Sequence, residues 1–130
     1  MNAADVMNSP IVAATTKASA REIALYMLLG GFSGVPILDE EGVLAGIVTE
    51  NDLLHAIREG TSLEDTTVDE IMTRNVVTVD VGAPVEEVME VLESAKILRV
   101  PVMQAGTMVG IVSRPDLLRA AVQPHFQRVA

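Results

Sequence analysis

The order of apolar and polar positions in the first half of the chain is repeated in the second half. In the second half, an amphipathic helix with i, i+3, i+4, i+7 spacing is predicted after Asp80 and Pro84; its apolar positions are Val85, Val88, Met89 and Leu92. The matching helix of the first half carries Ile23, Met27 and Leu28. We expect that helix to stop at Gly30-Gly31, because glycine is the usual residue just after a helix end.

Predicted strands surround each of these helices. A short strand precedes each helix, at 11–14 and at 76–79. Two strands joined by a glycine-containing turn follow it, at 34–38 and 43–49 in the first half and at 99–103 and 107–113 in the second. A last helix closes each half, with apolar positions Leu53, Leu54 and Ile57, then Leu117, Leu118 and Val122. The order β-α-β-β-α predicts a small sheet covered by helices, formed twice.

The residues themselves also repeat. Val35-Pro36-Ile37 recurs as Val100-Pro101-Val102, and Val6-Met7 recurs as Ile71-Met72, in both cases 65 positions later. The segment Gly46-Ile47-Val48-Thr49-x-x-Asp52 recurs 64 positions later as Gly110-Ile111-Val112-Ser113-x-x-Asp116. Internal repeats of this length indicate a duplicated structural unit. We predict a first repeat at 5–57, a linker at 58–69, a second repeat at 70–121 and a C-terminal tail at 122–130.

Composition narrows the function. Of the 130 residues, 49% are hydrophobic, which is typical of a globular protein. The net charge of −9 argues against nucleic-acid binding, which needs a basic surface. There is no cysteine, and His55 and His125 are far apart in sequence, so no metal site is expected. The apolar run at 23–32 is about half of what a membrane span needs, and no signal peptide is recognisable. We expect a cytoplasmic protein without membrane contact, and not an enzyme, because no nucleophile, base and orienting group can be assembled.

The repeated motif places a hydroxyl and a carboxylate at the start of a helix. Thr49 and Ser113 are predicted N-caps, with Asp52 and Asp116 at the third helical position, a variant of the capping box. Two interpretations stay open. The motifs serve only to start helices, or the helix N-terminus binds a phosphate while the carboxylate accepts ribose hydroxyls.

With Val-Pro and Gly-Ile-Val-Thr/Ser-x-x-Asp in both halves, the chain resembles the CBS domain family, and its two copies resemble one Bateman module. The resemblance implies an α/β (α+β) fold of two β-α-β-β-α CBS repeats packed with pseudo-two-fold symmetry. It also implies a homodimer that binds an adenine nucleotide (AMP, ADP or ATP, or else NAD or S-adenosylmethionine) and signals by conformational change to a regulated protein partner. The alternative is a structural dimerisation module whose nucleotide sites are empty.

The resemblance further implies two binding sites, each shared between the repeats. One site would combine Ile47, Thr49 and Asp52 with Thr73, Thr78, Leu98 and Arg99. The other would combine Ile111, Ser113, Arg114 and Asp116 with Asn8, Ala13, Phe32 and Ser33.

Charges distinguish the two sites. Glu50 stands in the first where Arg114 stands in the second, and either repels a phosphate or points to solvent. Arg114 either faces an anion or pairs with Asp116, and His55 is expected to be a surface or interface residue rather than a base. The homodimer is expected to use apolar helix positions, namely Ala24, Leu25, Leu28, Val88, Leu92, Leu118 and Ala121.

Overall fold

The structure is a computed structural model that describes residues 1–122, and its helices and strands confirm the predicted mixed α/β fold. The first half contains α1 (Ala3–Val6), β1 (Ala14–Thr15), α2 (Ala20–Gly30), β2 (Gly34–Leu38), β3 (Leu44–Thr49) and α3 (Glu50–Arg58). The second half contains a 3-10 helix (Val68–Glu70), β4 (Val79–Asp80), α4 (Val85–Ser94), β5 (Arg99–Gln104), β6 (Thr107–Ser113) and α5 (Arg114–Val122). The predicted tail lies, after Val122, outside the described residues.

Each half forms a three-stranded mixed sheet. In the order β1-β2-β3, β2 is parallel to β1 and antiparallel to β3; the order β4-β5-β6 repeats this arrangement. Val35 pairs with Val48 in the first sheet, and Val100 pairs with Val112 in the second. The register is therefore equivalent in the two repeats.

The repeated prolines explain why β1 and β4 are shorter and later than predicted. The parallel ladders begin at Ala14 beside Ile37 and at Val79 beside Val102. Pro36 and Pro101 stand one residue before those pairs. Because proline has no N–H to donate, each parallel ladder starts only after the proline.

The chain divides into two compact units whose boundaries differ from those of the sequence repeats. Unit I is Val12–Val76, whereas unit II combines Met1–Ile11 with the chain from Val77 to Val122, the last described residue. The first eleven residues therefore pack with the second repeat's sheet, and the 3-10 helix, where the predicted linker meets the second repeat, packs within unit I.

Backbone hydrogen bonds hold these two segments in place. They are called the crossing segments below: residues 1–11, which pack in unit II, and residues 66–73, which pack in unit I. In unit II, the Ala3 N–H donates to the carbonyl of Ala83 at 2.8 Å. In unit I, the Ala20 N–H donates to Thr66 at 2.8 Å, and the Val68 N–H donates to Ala18 at 2.9 Å. Such pairing satisfies polar backbone groups that burial would otherwise leave unbonded.

Each unit has its own apolar core, built from the inward positions of its strands and the covering helices. The core of unit I consists of Ala20, Ile23, Met27, Val35, Ile37, Val48, Leu53, Val68 and Met72. That of unit II consists of Ala3, Val79, Ala83, Val85, Val88, Leu92, Val100, Val102, Val112 and Leu117. Aliphatic residues fill both cores, together with Met27 and Met72 in unit I, as the scarcity of aromatics requires.

The helix faces differ from prediction at several positions. The predicted apolar positions that are exposed, at 39 to 78%, are Leu28, Leu54, Ile57, Met89, Leu118 and Val122. Val88 and Leu92, predicted at a dimer interface, are 0% and 2% exposed, because they point into the core of unit II. The predicted stop of α2 is confirmed, since Gly31 is left-handed with φ 71°. Within residues 1–122, every helix is too short or too polar to cross a membrane.

Candidate functional site

The predicted capping box at the start of α3 is confirmed. Thr49 is the N-cap, and its hydroxyl accepts a bond from the Asp52 N–H at 3.2 Å. In return, Oδ2 of Asp52 accepts bonds from the backbone N–H of Thr49 at 2.8 Å and from its hydroxyl at 3.0 Å. These reciprocal bonds fix the carboxylate beside the first turn of the helix, where free N–H groups favour negative charge.

The other oxygen of Asp52 faces the segment that follows the 3-10 helix. The hydroxyl of Thr73 donates to Oδ1 of Asp52 at 2.9 Å. Thr73 is positioned by two backbone bonds with Ile47 on the outer edge of β3, at 2.8 and 2.9 Å. Ile47, Thr49, Asp52 and Thr73, assigned to one site from the sequence, thus lie together in unit I.

The start of α5 in unit II has an equivalent arrangement. Oδ2 of Asp116 accepts bonds from the N–H and the hydroxyl of Ser113, both at 2.8 Å. The side-chain amide of Asn8 donates to the same oxygen at 2.8 Å. Asn8 is positioned by backbone bonds with Ile111 at 2.9 and 3.2 Å. Asn8 therefore occupies the place in unit II that Thr73 occupies in unit I.

Glycines in the motif allow the crossing segments to approach the strands this closely. A Cβ at Gly46 would lie 2.7 Å from the carbonyl oxygen of Thr73, and one at Gly110 would lie 3.0 Å from that of Asn8. The side chains of Met72 and Met7 fill the remaining space over the two glycines. In each unit, the methionine of the repeated Val/Ile-Met segment therefore packs against the glycine of the repeated motif.

Asp116 is further bound by an arginine that sequence analysis missed. A guanidinium nitrogen of Arg119 donates to Oδ1 of Asp116 at 3.1 Å. Asp116 is 7% exposed and is the one buried charged side chain among residues 1–122. The i, i+3 spacing of the two residues on α5 was the available signal.

The electrostatics of Asp116 reflect opposing influences. Burial raises the pKa of its carboxyl, but bonds from Ser113, Asn8 and Arg119 stabilise the charged form. The net result is a pKa below the ordinary value. Asp116 is therefore a carboxylate at neutral pH and an acceptor only.

The arginine and glutamate beside the two aspartates take defined positions. Nε of Arg114 donates to the carbonyl of Ile97 at 3.3 Å, so Arg119 rather than Arg114 pairs with Asp116. The side chain of Glu50 is exposed, in agreement with the solvent-facing interpretation, and so is that of His55.

The remaining predicted site residues lie in the unit opposite to the aspartate assigned to them. Ala13, Phe32 and Ser33 lie in unit I, whereas Thr78, Leu98 and Arg99 lie in unit II. The carbonyl of Ser33 accepts the Glu50 N–H at 3.1 Å, and that of Leu98 accepts the Arg114 N–H at 3.2 Å. The sharing of each site between the repeats stays a prediction.

The fold and site define a duplicated α/β module in which each unit presents a hydroxyl and a carboxylate at a helix start. The chain belongs to the CBS domain family, whose model matches it twice, at residues 3–59 and 68–123. Within residues 1–122, no group of three histidine or acidic side chains is placed to hold a metal ion.

Curated relatives differ in how much of their length the chain covers. L-aspartate semialdehyde sulfurtransferase of Methanocaldococcus jannaschii is 34% identical over 116 residues, which are 88% of this chain but 22% of that protein. Hypoxic response protein 1 of Mycobacterium tuberculosis is 27% identical over 118 residues, which are 90% of this chain and 82% of that protein. The chain thus spans about a fifth of the sulfurtransferase and most of the second relative.

Two similar solved structures contain adenosine compounds. The CBS domain pair of protein MJ0100, in complex with 5-methylthioadenosine and S-adenosyl-L-methionine, is 31% identical, with a TM-score of 0.83 and coverage of 95% of this chain and 98% of that one. CBSX2 in complex with AMP is 25% identical, with a TM-score of 0.86 and coverage of 96% and 98%.

Proposed function

We propose that this chain is a regulatory CBS pair that binds an adenine nucleotide and signals its occupancy to a protein partner. The observation that carries the proposal is the pair of carboxylates, Asp52 and Asp116, each bound by a hydroxyl, that of Thr49 or Ser113, at the start of a helix. The AMP complex of CBSX2 and the methylthioadenosine and S-adenosylmethionine complex of MJ0100 support the same ligand class.

The chemistry of a ribonucleotide fits these groups. A ribose carries two neighbouring hydroxyl donors, and a carboxylate is an acceptor whose bonds are strengthened by its charge. The N-terminus of α3 or α5 favours a phosphate, because free N–H groups and the helix dipole point towards it. Thr49 and Ser113 add a hydroxyl at the same place. The candidate ligands are AMP, ADP and ATP, with NAD and S-adenosylmethionine as further adenosine compounds.

Regulation requires that the ligand prefer one of two conformations, since a ligand shifts an equilibrium only by its differential affinity for the two states. The crossing segments supply groups that a ligand can compete with. Thr73 and Asn8 bond directly to the carboxylates, and each belongs to a segment that then continues into the opposite unit. We propose that a ribose competes with these side chains for the carboxylate.

Calorimetry with a ligand panel tests the binding class. AMP, ATP, NAD and S-adenosylmethionine are titrated beside GMP and CMP at equal concentrations. The proposal expects heat of binding from one or more of the adenine compounds and none from GMP or CMP. Equal binding of GMP, or no binding by any compound at millimolar concentrations, would contradict it.

An apolar surface on unit I favours dimerisation as a second function. The exposed side chains on α2 and α3 are Leu25, Leu28, Leu29, Leu54 and Ile57, at 46 to 88% exposure. Leu28, Leu54 and Ile57 line a groove of about 380 Å³, whose lining also includes Met27, Phe32 and Leu63. Contiguous apolar surface of this kind marks interaction sites in soluble proteins. We propose that a second copy of the chain covers it in a two-fold homodimer, because such an interface brings the same apolar patch of both copies together.

A further inference from the structure

The carboxylates of Asp52 and Asp116 do not carry the same number of hydrogen bonds. Asp52 accepts three within the described residues, two on Oδ2 from Thr49 and one on Oδ1 from Thr73. Asp116 accepts four, three on Oδ2 from Ser113 and Asn8 and one on Oδ1 from Arg119. Each Oδ2 accepts two or more of these bonds and each Oδ1 accepts one. The donor on Oδ1 is the charged guanidinium of Arg119 at Asp116 and the neutral hydroxyl of Thr73 at Asp52.

The additional bond to Asp116 comes from one position at which the two repeats carry different residues. Arg119 follows Asp116 by three residues, and His55 follows Asp52 by three residues on the equivalent helix. Residues with this spacing lie on the same face of a helix. Arg119 reaches across that face to Asp116, while the exposed His55 makes no hydrogen bond to Asp52 in the described chain.

We propose that Arg119 makes Asp116 the weaker ribose acceptor, so that the first nucleotide binds at Asp52. The inference rests on the proposed nucleotide-binding function and adds an order to it. At Oδ1 of Asp116 a ribose hydroxyl competes with a charged donor, Arg119, and the guanidinium charge also weakens the carboxylate as an acceptor. At Oδ1 of Asp52 it competes, among the described residues, with the neutral hydroxyl of Thr73.

The size of the effect follows from the exposure of the pair. Arg119 is 55% exposed, so its guanidinium returns to water when displaced, and such pairs are individually weak. We expect Arg119 to lower the affinity for AMP at Asp116 about 3- to 10-fold, in line with the weakness of half-exposed ion pairs. Asn8 does not create the charge difference, because Asn8 and Thr73 are both neutral donors, Asn8 to Oδ2 of Asp116 and Thr73 to Oδ1 of Asp52.

Exchanging the two residues tests the inference. AMP is titrated calorimetrically into the wild type, Arg119→His, His55→Arg, Asp52→Asn and Asp116→Asn, each of which is first checked for folding by its thermal unfolding midpoint. In the wild type, Asp52→Asn should abolish the tighter binding event and Asp116→Asn should leave it intact. Arg119→His should strengthen the weaker event about 3- to 10-fold, and His55→Arg should weaken the tighter one by a similar factor.

Arg58→Gln is the matched control. It removes a positive charge from α3, the helix that carries Asp52, but Arg58 lies two turns along the helix. Both affinities should stay at the wild-type values in this variant, which separates a local effect of Arg119 from a change in net charge.

The outcomes separate this inference from the proposed function. If AMP binds the wild type but the tighter event follows Asp116→Asn, or if Arg119→His and His55→Arg change neither event, the order of binding is wrong and the nucleotide function stands. If AMP binds neither the wild type nor Arg119→His, both are overturned.

Discussion

Asp116 is a buried charge surrounded by donors from three separate parts of unit II. Ser113 belongs to the end of β6, Arg119 to α5, and Asn8 to the N-terminal segment more than 100 positions away in the chain. A buried carboxylate is costly unless it is hydrogen-bonded. The carboxylate therefore depends on all three elements being in place, and it connects the N-terminal segment to the start of α5.

Acid should destabilise the protein partly through Asp116. Its folded pKa is lowered, with bonds from Ser113, Asn8 and Arg119 outweighing the burial that raises it, so its contribution is fully present above the unfolded value of about 3.9 and is lost as the pH falls through the folded value. Asp116→Asn should cost about 1–3 kcal/mol at pH 7, the cost of disturbing hydrogen bonds to a buried charge. Urea unfolding from pH 7 to pH 3 should show this gap between wild type and variant narrowing towards pH 3. A gap that is constant over the whole range would contradict the assignment.

Gly110 should tolerate no side chain. Its Cβ would lie 3.0 Å from the Asn8 carbonyl oxygen and against Met7, so Gly110→Ala has to push the N-terminal segment away from β6. We expect a loss of about 1–3 kcal/mol, typical of overpacking. Gly82→Ala is the control, since its nearest neighbour is an Asp80 carboxylate oxygen at 3.3 Å, and it should lose less. Chemical denaturation compares the two, and equal losses would contradict the close-approach explanation.

At the scale of elements, helix starts matter most because they carry the candidate ligand groups. Each motif helix follows directly from the last strand of its sheet, so the strand register fixes where the capping hydroxyl lies. Gly34 pairs with Thr49, and Arg99 pairs with Ser113. The equivalent registers place the two aspartates in equivalent positions of their own units.

Removing a cap should weaken the helix and its site together. Thr49→Ala removes the acceptor for the Asp52 N–H and one donor to the carboxylate, and should cost about 1 kcal/mol of stability. Thr49→Ser keeps the hydroxyl and should stay close to wild type. Thermal unfolding of the unliganded proteins measures both variants. A Thr49→Ala variant as stable as Thr49→Ser would show that the hydroxyl does not cap α3.

Sequence reasoning succeeded where a local rule determines the structure. The Thr-x-x-Asp spacing predicted the capping box, and β2 was predicted with the bounds that the structure has. It failed at α1 and the 3-10 helix, which have four and three residues and are too short to show a periodic pattern. It also missed Arg119, because the sequence offers two arginines near Asp116 and only the side-chain geometry shows which one reaches it.

At the scale of the whole molecule, each compact unit contains one copy of the motif, together with the segment that leads into the other repeat. Met1–Ile11 belongs to the unit of the second repeat, and the 3-10 helix, where the predicted linker meets the second repeat, belongs to unit I. The boundaries of the sequence repeats therefore differ from those of the compact units. A deletion of the first eleven residues would remove Asn8 from Asp116 and Met7 from Gly110, and not simply shorten the first repeat.

The proposed homodimer should depend on the apolar surface of unit I. Leu28 is 78% exposed on α2, and Leu28→Glu places a charge at this surface. We expect light scattering to show a dimer for the wild type and a monomer near 13.8 kDa for the variant. Val43→Glu changes an exposed apolar residue in the turn before β3 and should leave the dimer intact. A wild type that is monomeric at all workable concentrations would contradict the proposal.

The central claim is that an adenine nucleotide binds at the two helix-starting aspartates, and thermal unfolding with and without AMP tests it most directly. A ligand at 100 times its dissociation constant stabilises the native state by about 2.7 kcal/mol. We predict that saturating AMP raises the unfolding midpoint of the wild type and leaves that of the Asp52→Asn, Asp116→Asn double variant unchanged. A wild-type midpoint that does not respond to AMP, or an equal rise in the double variant, would contradict the claim.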